Sequence, residues 1–587
     1  MRSNVSRSMI APSLPLSSEL GEAPARYAHL RVRAWGLPAA VLLLVAGCVV
    51  VFAYRVHCFA DLEPRTDQAS AARLVQELRT DHFMPASRAE RSFVLQLAGD
   101  PDSGLNRLLR YFFLTPHFML SSLSLAYFYL GSWLLGDNWR AFVLLSIAAS
   151  VVTLAVTTLW AYYACRGFLS DGSRAAGLIG AAGTFVAGAF CGYAHLFSPW
   201  GVHNVGVLAL VAAGYVSSRC PVWSTRSSRW CWSGLAQVCA IYTHWTNLIL
   251  LPPATVLAAL VSPRAKPRKR VLFLATYAGA TLVVVLPVIV LLAIKPQDFV
   301  YAGYSTASGS FDLASLASRA GGWFTAANRY FSIPGFALGI AGAILLGLWQ
   351  GVWIPAAVIA AHWFAWAALP GFTWNGSPTE LRTYNYLLPF LWLGIGVAVA
   401  SALTCTQSAR ARALVLPATG FLLLAHLVLQ LPLFGGPADV AVRLPLFYES
   451  YLCGQGRLRA VVRSIDARVP RRATILASDY PLQDVYFVLS HDRRPGAVVL
   501  TLWQRAKTHR LATHLAKYGY TTDCSSLYAL LRPGQPGDSP RAVGAVLGAN
   551  GFRCPERYHW KLLETYPVRS RCDYLGEIDL YRLQPAS

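Results

Sequence analysis

Acidic residues are concentrated directly after the first apolar run of the sequence. The stretch 55–110 holds eight of the chain's 28 acidic residues: Asp61, Glu63, Asp67, Glu77, Asp81, Glu90, Asp100 and Asp102. Asp61 follows Arg55, which closes the run, by six residues. A carboxylate held at a membrane edge beside apolar neighbours is partly desolvated, which suits a general base. A solvated loop, in which these acids pair with Arg residues of the same stretch, is the alternative.

A second group of polar residues lies inside an uncharged run. Residues 193–204 contain two His, one Ser and one Asn, among them His203 and Asn204. Polar groups within or at the end of a membrane span are costly and tend to be functional. The alternative is that they only bond the carbonyl groups at helix ends, and the sequence leaves both interpretations open.

A third group opens a later apolar run. Arg382 is followed by Thr383 and Tyr384 and then by an uncharged stretch. An Arg at the outer end of a span can bind a lipid phosphate through a forked pair of hydrogen bonds. Lys295, at the outer end of the preceding spans, is a second candidate for a phosphate contact. An interfacial anchor is the alternative for both cations.

The amino-acid composition indicates the kind of structure that positions these residues. Of 587 residues, 55% are hydrophobic and 13% are charged, and the mean hydropathy is +0.42. An ordinary soluble enzyme has about 25% charged residues, so this class is excluded. The net charge of +23 does not indicate nucleic-acid binding. Basic residues are expected beside membrane spans, and no stripe of basic and aromatic residues is present.

Long uncharged runs predict a polytopic α-helical membrane protein with about 11 spans, because a spanning helix needs about 20 apolar residues. We expect an uncleaved first span near 35–54, a helix lying in the membrane over 111–135, and a pair of broken spans that meet near 242–247. With these assignments the short basic loops all fall on the cytoplasmic side. The predicted parts are a cytoplasmic tail 1–34, a transmembrane catalytic domain 35–433 with outer loops 55–110 and 295–334, and a periplasmic α/β domain 434–587.

The last 150 or so residues have a soluble composition. Their pattern predicts helices at Arg457–Arg468 and Leu502–Tyr518 and strands at 473–477 and 485–489. One or two disulfides among Cys453, Cys524, Cys554 and Cys572 fit an oxidising compartment. Buried thiols are the alternative. No Cys or His spacing typical of zinc is present.

At these places the chain resembles the GT-C superfamily of membrane glycosyltransferases, which includes protein O-mannosyltransferases and the aminoarabinose transferases of lipid A. In that family a catalytic acid follows the first span, and a small α/β outer domain often ends the chain. The matching positions are Asp61 with Glu63, the Pro motif Thr115-Pro116-His117, the Arg of Asn138-Trp139-Arg140, and Arg382-Thr383-Tyr384 with Pro389.

The resemblance implies transfer of one sugar from a polyprenyl-phosphate donor to a lipid, glycan or protein acceptor at the periplasmic face. Asp61 or Glu63 would be the catalytic base, and Arg382, with Lys295 and Arg140, would stabilise the departing polyprenyl phosphate. The remaining substrate contacts implied are Tyr384, His203, Asn204 and His117. Family members often open the fourth span with an acidic residue, where this chain has His203-Asn204. That departure favours the metal-independent branch with no cofactor, although a divalent metal is not excluded. A bacterial inner membrane is the expected location.

Two other functions are alternatives for such a chain. A flippase or transporter for a lipid-linked saccharide would have an internal repeat and charges at mid-bilayer, and the sequence has neither. An O-antigen ligase or polymerase would carry its key residues in a large loop between late spans. The early acidic loop therefore favours the transferase.

Overall fold

The computed structural model describes residues 36–64, 69, 71–73, 75–76, 121–166, 174–219, 227–262, 266–294, 313–369, 382–404, 409–434, 437–445, 448, 452, 456–471, 473–477, 480–490, 499–501, 524–532, 543, 547, 552, 554, 558–567 and 577–585. The predicted fold class is confirmed. A large apolar helical part is followed by a small domain of mixed α/β structure.

The helical part is built mainly from long apolar helices. They are α1 (Gly36–Phe59), α2 (Ser122–Leu135), α3 (Trp139–Cys165), α4 (Arg174–Ala189), α5 (Gly192–Phe197), α6 (Gly201–Arg219), α7 (Ser227–Thr243), α8 (Trp245–Val261), α9 (Pro267–Ile294), α10 (Leu313–Tyr330), α11 (Ile333–Gln350), α12 (Ile354–Ala368), α13 (Leu388–Thr404), α14 (Ala409–Gln430) and α15 (Pro437–Arg443). Within the described ranges, seven helical segments are long and apolar enough to cross a membrane. The total of about 11 spans stays a prediction.

The helices differ strongly in how much of their surface is covered by protein. The span that contains α13 has 83% of its residues buried, whereas that of α1 has 6%. Helix α13 therefore lies at the centre of the helical part. Helix α1 lies at its edge, where its Val and Leu side chains are exposed as expected for contact with lipid.

Glycine contacts hold α13 against two neighbouring helices. A Cβ atom added to Gly394 would lie 1.9 Å from the carbonyl oxygen of Gly339 on α11, and one added to Gly342 would lie 1.8 Å from that of Gly394. On the opposite face, a Cβ atom at Gly396 would lie 2.0 Å from the hydroxyl oxygen of Thr184 on α4. The backbones of the three helices approach closely because these positions carry no side chain.

The predicted break near 242–247 is confirmed. Helix α7 ends at Thr243 and α8 begins at Trp245, with His244 between them in an extended conformation. The Nδ1 atom of His244 accepts the backbone N–H of Thr246 at 3.2 Å, which caps α8. The amide of Asn247 donates to the carbonyl oxygens of Ala240 and Gly206 at 2.8 and 2.9 Å. Side chains thus supply hydrogen bonds to the backbone groups that the break leaves without helical partners.

The segments expected around the first and second outer loops are described only in part. Helix α2 covers the second half of the predicted membrane-lying helix 111–135, and its 14 residues extend only about 21 Å. The segment 295–334 was predicted as an outer loop, but it contains the 18-residue helix α10 and the first residues of α11.

The C-terminal domain contains a five-stranded sheet. Its elements are α16 (Arg457–Arg468), β1 (Thr474–Ala477), α17 (Tyr480–Ser490), β2 (Val499–Thr501), β3 (Leu527–Leu531), β4 (Tyr558–Pro567) and β5 (Glu577–Pro585). The strand order is β2-β1-β3-β5-β4. Strands β2, β1 and β3 are parallel, and β3-β5-β4 are antiparallel.

The predicted helix at 457–468 and strand near 473–477 are confirmed, but the strand predicted at 485–489 is wrong. These residues belong to α17, whose buried residues Leu482, Val485 and Tyr486 recur with a helical period. The helix predicted at Leu502–Tyr518 lies outside the described residues. A disulfide joins Cys524 to Cys554, as the sequence suggested, while Cys453 and Cys572 lie outside the described residues.

Candidate functional site

The second and third groups of polar residues meet in one cluster, although about 180 residues separate them. The Tyr386 hydroxyl lies 3.4 Å from Nδ1 of His203, and the rings of His203 and His244 have centroids 4.4 Å apart. Arg382 places its guanidinium carbon 5.5 Å from the centre of the Trp200 ring. We call these five residues, Trp200, His203, His244, Arg382 and Tyr386, the polar cluster.

Three elements position the polar cluster. Trp200 and His203 come from the turn that enters α6, His244 from the break between α7 and α8, and the other two from the segment that leads into α13. Arg382 is half-buried, and Tyr386 is fully buried. A guanidinium over an aromatic face is attracted to the ring, which holds the Arg382 side chain at this position.

Asn204 supports the turn beside the cluster. Its amide nitrogen donates to the hydroxyl of Ser146 at 3.0 Å and to the carbonyl oxygens of Phe197 and Ser198 at 3.1 and 2.8 Å. Its carbonyl oxygen accepts the amide of Asn385 at 3.3 Å. The structure thus uses Asn204 to bond helix-end carbonyls, the alternative that the sequence left open.

Tyr384 lies apart from the polar cluster. Its ring packs against Tyr330, His362 and Trp366, with centroid distances of 5.5, 5.9 and 6.2 Å. Its hydroxyl is buried and has no hydrogen-bond partner in the described part of the chain. Tyr386, two residues further on, lies in the polar cluster instead, and a substrate contact of Tyr384 stays a prediction.

The acidic segment after α1 reaches the same end of the helical part. The Trp139 indole N–H donates to the carbonyl oxygen of Leu62, and the Trp139 ring stacks on Phe142, which borders Gly201 at the start of α6. Asp61 is exposed, contrary to the expected partial desolvation, and Arg140 beside Trp139 is exposed as well. An exposed carboxylate and an exposed guanidinium therefore stand at one rim.

Glu63 differs from Asp61 in burial and in the bonding of its side chain. Its side chain is buried, and its Oε1 atom accepts the backbone N–H of Arg459 at 2.8 Å. Arg459 is the third residue of α16, whose N-cap Gly456 offers no side-chain acceptor. Glu63 thus caps a helix of the C-terminal domain and places its charge at the positive end of that helix. Among the described residues, Asp61 contacts this helix only through its backbone carbonyl oxygen, which accepts a hydrogen bond from the Arg459 guanidinium at 3.4 Å.

Two predicted site residues, His117 and Lys295, lie outside the described residues, as does the rest of the Thr115-Pro116 motif. Three residues of the site were not predicted: Trp200, His244 and Tyr386. Each lay inside a segment that the sequence had marked, but only the folded chain shows which side chains face each other.

Gly206 leaves room for the polar cluster. A Cβ atom there would lie 2.6 Å from the Tyr386 hydroxyl oxygen and 2.7 Å from Cβ of His244. Both neighbours are buried and cannot swing away, so we expect Gly206→Ala to lower the free energy of unfolding by about 1 to 3 kcal/mol. Thermal unfolding of the purified chain measures this. Gly234→Ala on α7 is the matched control, because nothing lies within 4 Å of its added Cβ atom. Equal melting temperatures for the two variants would contradict the packing described.

A metal ion bound at this site would need several ligands close together. In the described ranges, no group of three or more His, Cys, Asp or Glu could hold a metal ion. His203 and His244 form a pair whose rings contact each other rather than a third ligand. Independence from metals stays a prediction.

The chain is similar to known proteins in structure only. No protein-family model and no curated protein matches the chain. Among solved structures, it is similar to ArnT from Cupriavidus metallidurans bound to undecaprenyl phosphate, with 16% identity over 94% of this chain and 98% of that chain and a TM-score of 0.45. It is also similar to the oligosaccharyltransferase AglB from Archaeoglobus fulgidus in complex with an inhibitory peptide and a dolichol-phosphate. There the identity is 10%, over 85% of this chain and 70% of that chain, and the TM-score is 0.46.

At such identities and TM-scores no residue role and no activity is transferred from one chain to the other.

Proposed function

We propose that the chain is a membrane glycosyltransferase. It moves a single sugar from a polyprenyl-phosphate donor to a lipid, glycan or protein acceptor at the periplasmic face of a bacterial inner membrane. The observation that carries the proposal is the meeting of the polar cluster with the rim that bears Asp61 and Arg140. An exposed carboxylate, two guanidinium groups and a buried His-Tyr pair thus lie at one end of an apolar helical part.

The proposed reaction assigns one task to each group. Asp61 takes the proton from the acceptor hydroxyl while the acceptor oxygen bonds to the anomeric carbon of the sugar. The bond from that carbon to the phosphate oxygen breaks, and the polyprenyl phosphate leaves with the electron pair. Arg382 and Arg140, with Lys295 as a further predicted contact, stabilise the charge that develops on the phosphate. His203 and Tyr386 orient the sugar.

An apolar groove between α10, α11 and α12 suits the prenyl chain of such a donor. Its volume is about 390 Å³, and its lining residues are Trp323, Phe324, Ile340, Ile344, Ala356, Ile359, Ala360 and Trp363. The Trp323 indole donates to His362 at 2.9 Å, and the other ring nitrogen of His362 lies 2.9 Å from the Thr383 carbonyl oxygen. Thr383 is the neighbour of Arg382, so these hydrogen bonds connect a residue of the groove to the backbone beside the proposed phosphate contact.

Transfer of labelled sugar from a lipid extract that contains the donor pool tests the proposal. We expect Arg382→Gln to lower the rate about 10²-fold, because a guanidinium acting on the leaving phosphate is lost. Arg329→Gln is the matched control, since Arg329 is an exposed arginine on α10 outside the site, and it should keep the wild-type rate. An unchanged rate in Arg382→Gln would remove Arg382 from the mechanism.

A further inference from the structure

Arg55 is a buried arginine near the end of α1. Its side chain is 1% exposed, although α1 lies at the edge of the helical part and has lipid-facing residues along most of its length. It stands four residues before Phe59, the last residue of the helix, or about 6 Å along the axis. A 24-residue helix is about 36 Å long and a hydrocarbon core is about 30 Å thick, so a residue this close to the helix end is expected near the edge of that core.

Within the part of the chain that the structure describes, the guanidinium has one hydrogen bond. Its Nη1 atom donates to the Ser150 hydroxyl on α3 at 2.6 Å, while Nε and Nη2 are buried and have no hydrogen-bond partner among the described residues. The groups that face it from the surrounding elements are Ser150, Cys48, Cys191 and His195. None of these is a carboxylate, so within the described ranges the charge of Arg55 has no counter-ion.

His195 adds a second polar atom without a partner. It is 3% exposed, and its Nδ1 atom has no hydrogen bond in the described part of the chain. Its ring stacks on Tyr54, the neighbour of Arg55, at a centroid distance of 4.6 Å, and on Phe434 at 5.0 Å. The ring is therefore held in place beside the guanidinium.

A buried guanidinium with one neutral partner is unfavourable, because the desolvation of its charge is not offset. A structural role alone would be served better by an apolar side chain of similar size. The unpaired N–H groups match an anion with several oxygen atoms, and a guanidinium binds a phosphate through a forked pair of hydrogen bonds. Arg55 itself points into the protein, but it lies near the end of a helix whose other residues mostly face lipid, so the nearest phosphate is that of a lipid.

We propose that Arg55, Ser150 and His195 form a binding site for the phosphate group of a membrane lipid. Helix α5 separates this site from the polar cluster, since His195 faces Tyr54 whereas Phe197 faces Trp200 with ring centroids 4.1 Å apart. The lipid is either a bulk anionic phospholipid or a polyprenyl phosphate. The inference does not rest on the proposed function, because it is tested by binding and not by transfer.

Thermal unfolding of the purified full chain in maltoside micelles, which contain no phosphate, tests the site. The probes are phosphatidylglycerol and undecaprenyl phosphate, each paired with its phosphate-free counterpart, diacylglycerol or undecaprenol. We expect at least one phosphate lipid to raise the melting temperature of the wild type by a few degrees and its counterpart to have no effect. A response to both phosphate lipids indicates a general lipid site, and a response to undecaprenyl phosphate alone indicates a site for the carrier.

The variant Arg55→Met separates a binding role from a structural one. Without lipid it should melt at or above the wild-type temperature, because an unpaired buried charge is removed, and it should not respond to the phosphate lipids. Arg55→Lys should show a reduced response, and Arg329→Gln the full response. The proposal is overturned if the phosphate-free lipids stabilise equally or if Arg55→Met keeps the response. It is also overturned if Arg55→Met fails to fold or melts lower without lipid.

Discussion

Asp61→Asn is expected to lower sugar transfer by about 10²- to 10⁴-fold without unfolding the chain, because it removes the proposed general base. The side chain is exposed, and among the described residues Asp61 is bonded to Arg459 only through its backbone carbonyl oxygen, so the substitution should not disturb the fold. The measurement is the initial rate of transfer at matched amounts of folded protein, with the melting temperature measured in parallel.

Glu63→Gln is the matched control for this prediction. The amide retains the oxygen that accepts the Arg459 N–H, so the cap on α16 persists and we expect transfer within a few-fold of the wild type. Glu63→Ala removes the cap, and the C-terminal domain should become more sensitive to limited proteolysis. Equal losses in Asp61→Asn and Glu63→Gln would assign chemistry to Glu63 and contradict the division of roles. Full activity in Asp61→Asn would exclude Asp61 as the general base.

Gly394→Ala is expected to destabilise the chain by about 3 kcal/mol or more and to reduce the yield of folded protein sharply. The added Cβ atom would lie 1.9 Å from a backbone oxygen of α11, and a backbone atom cannot move aside as a side chain can. Helices α11 and α13 must separate, which also displaces the segment with Arg382 and Tyr386. Size-exclusion profiles and melting temperatures of the detergent-solubilised chain measure the effect.

Two glycines in exposed helices supply the controls. Nothing lies within 4 Å of a Cβ atom added to Gly279 on α9 or to Gly420 on α14. Alanine is the better helix former, so Gly279→Ala and Gly420→Ala should leave the melting temperature unchanged or raise it slightly. A normal yield and melting temperature for Gly394→Ala would show that the helices do not approach as described.

The sequence predicted much of the helical part, because uncharged runs and basic loops report spans directly. It located the break at His244 as well, because dividing that uncharged run into two short spans puts the basic loops on one side. It was wrong at 485–489, where Val, Tyr and Phe favour a strand in isolation. The helical period that begins at Leu482 and burial against the sheet determine the structure there instead.

The candidate site was only partly predictable. The segments with His203 and Arg382 were recognised, but the local pattern could not show that Tyr386 rather than Tyr384 faces His203. The capping role of Glu63 could not be predicted from the local sequence, for a different reason. Its partner Arg459 is 396 residues away, and nothing near Glu63 indicates that it caps a helix of another domain. In the sequence, a carboxylate beside a candidate base suggests a catalytic role. The fold shows that Glu63 instead accepts a backbone hydrogen bond.

The most direct test of the proposed function is a mass balance on the donor. A lipid extract containing the donor pool and acceptors is incubated with the purified chain, and polyprenyl-phosphate-sugar, free polyprenyl phosphate and glycosylated acceptor are quantified by mass spectrometry. We predict that the donor falls and polyprenyl phosphate rises one for one as the acceptor gains one sugar, and that Asp61→Asn abolishes all three changes. An intact donor pool in the presence of the folded wild-type chain, or release of a polyprenyl diphosphate, would contradict the account.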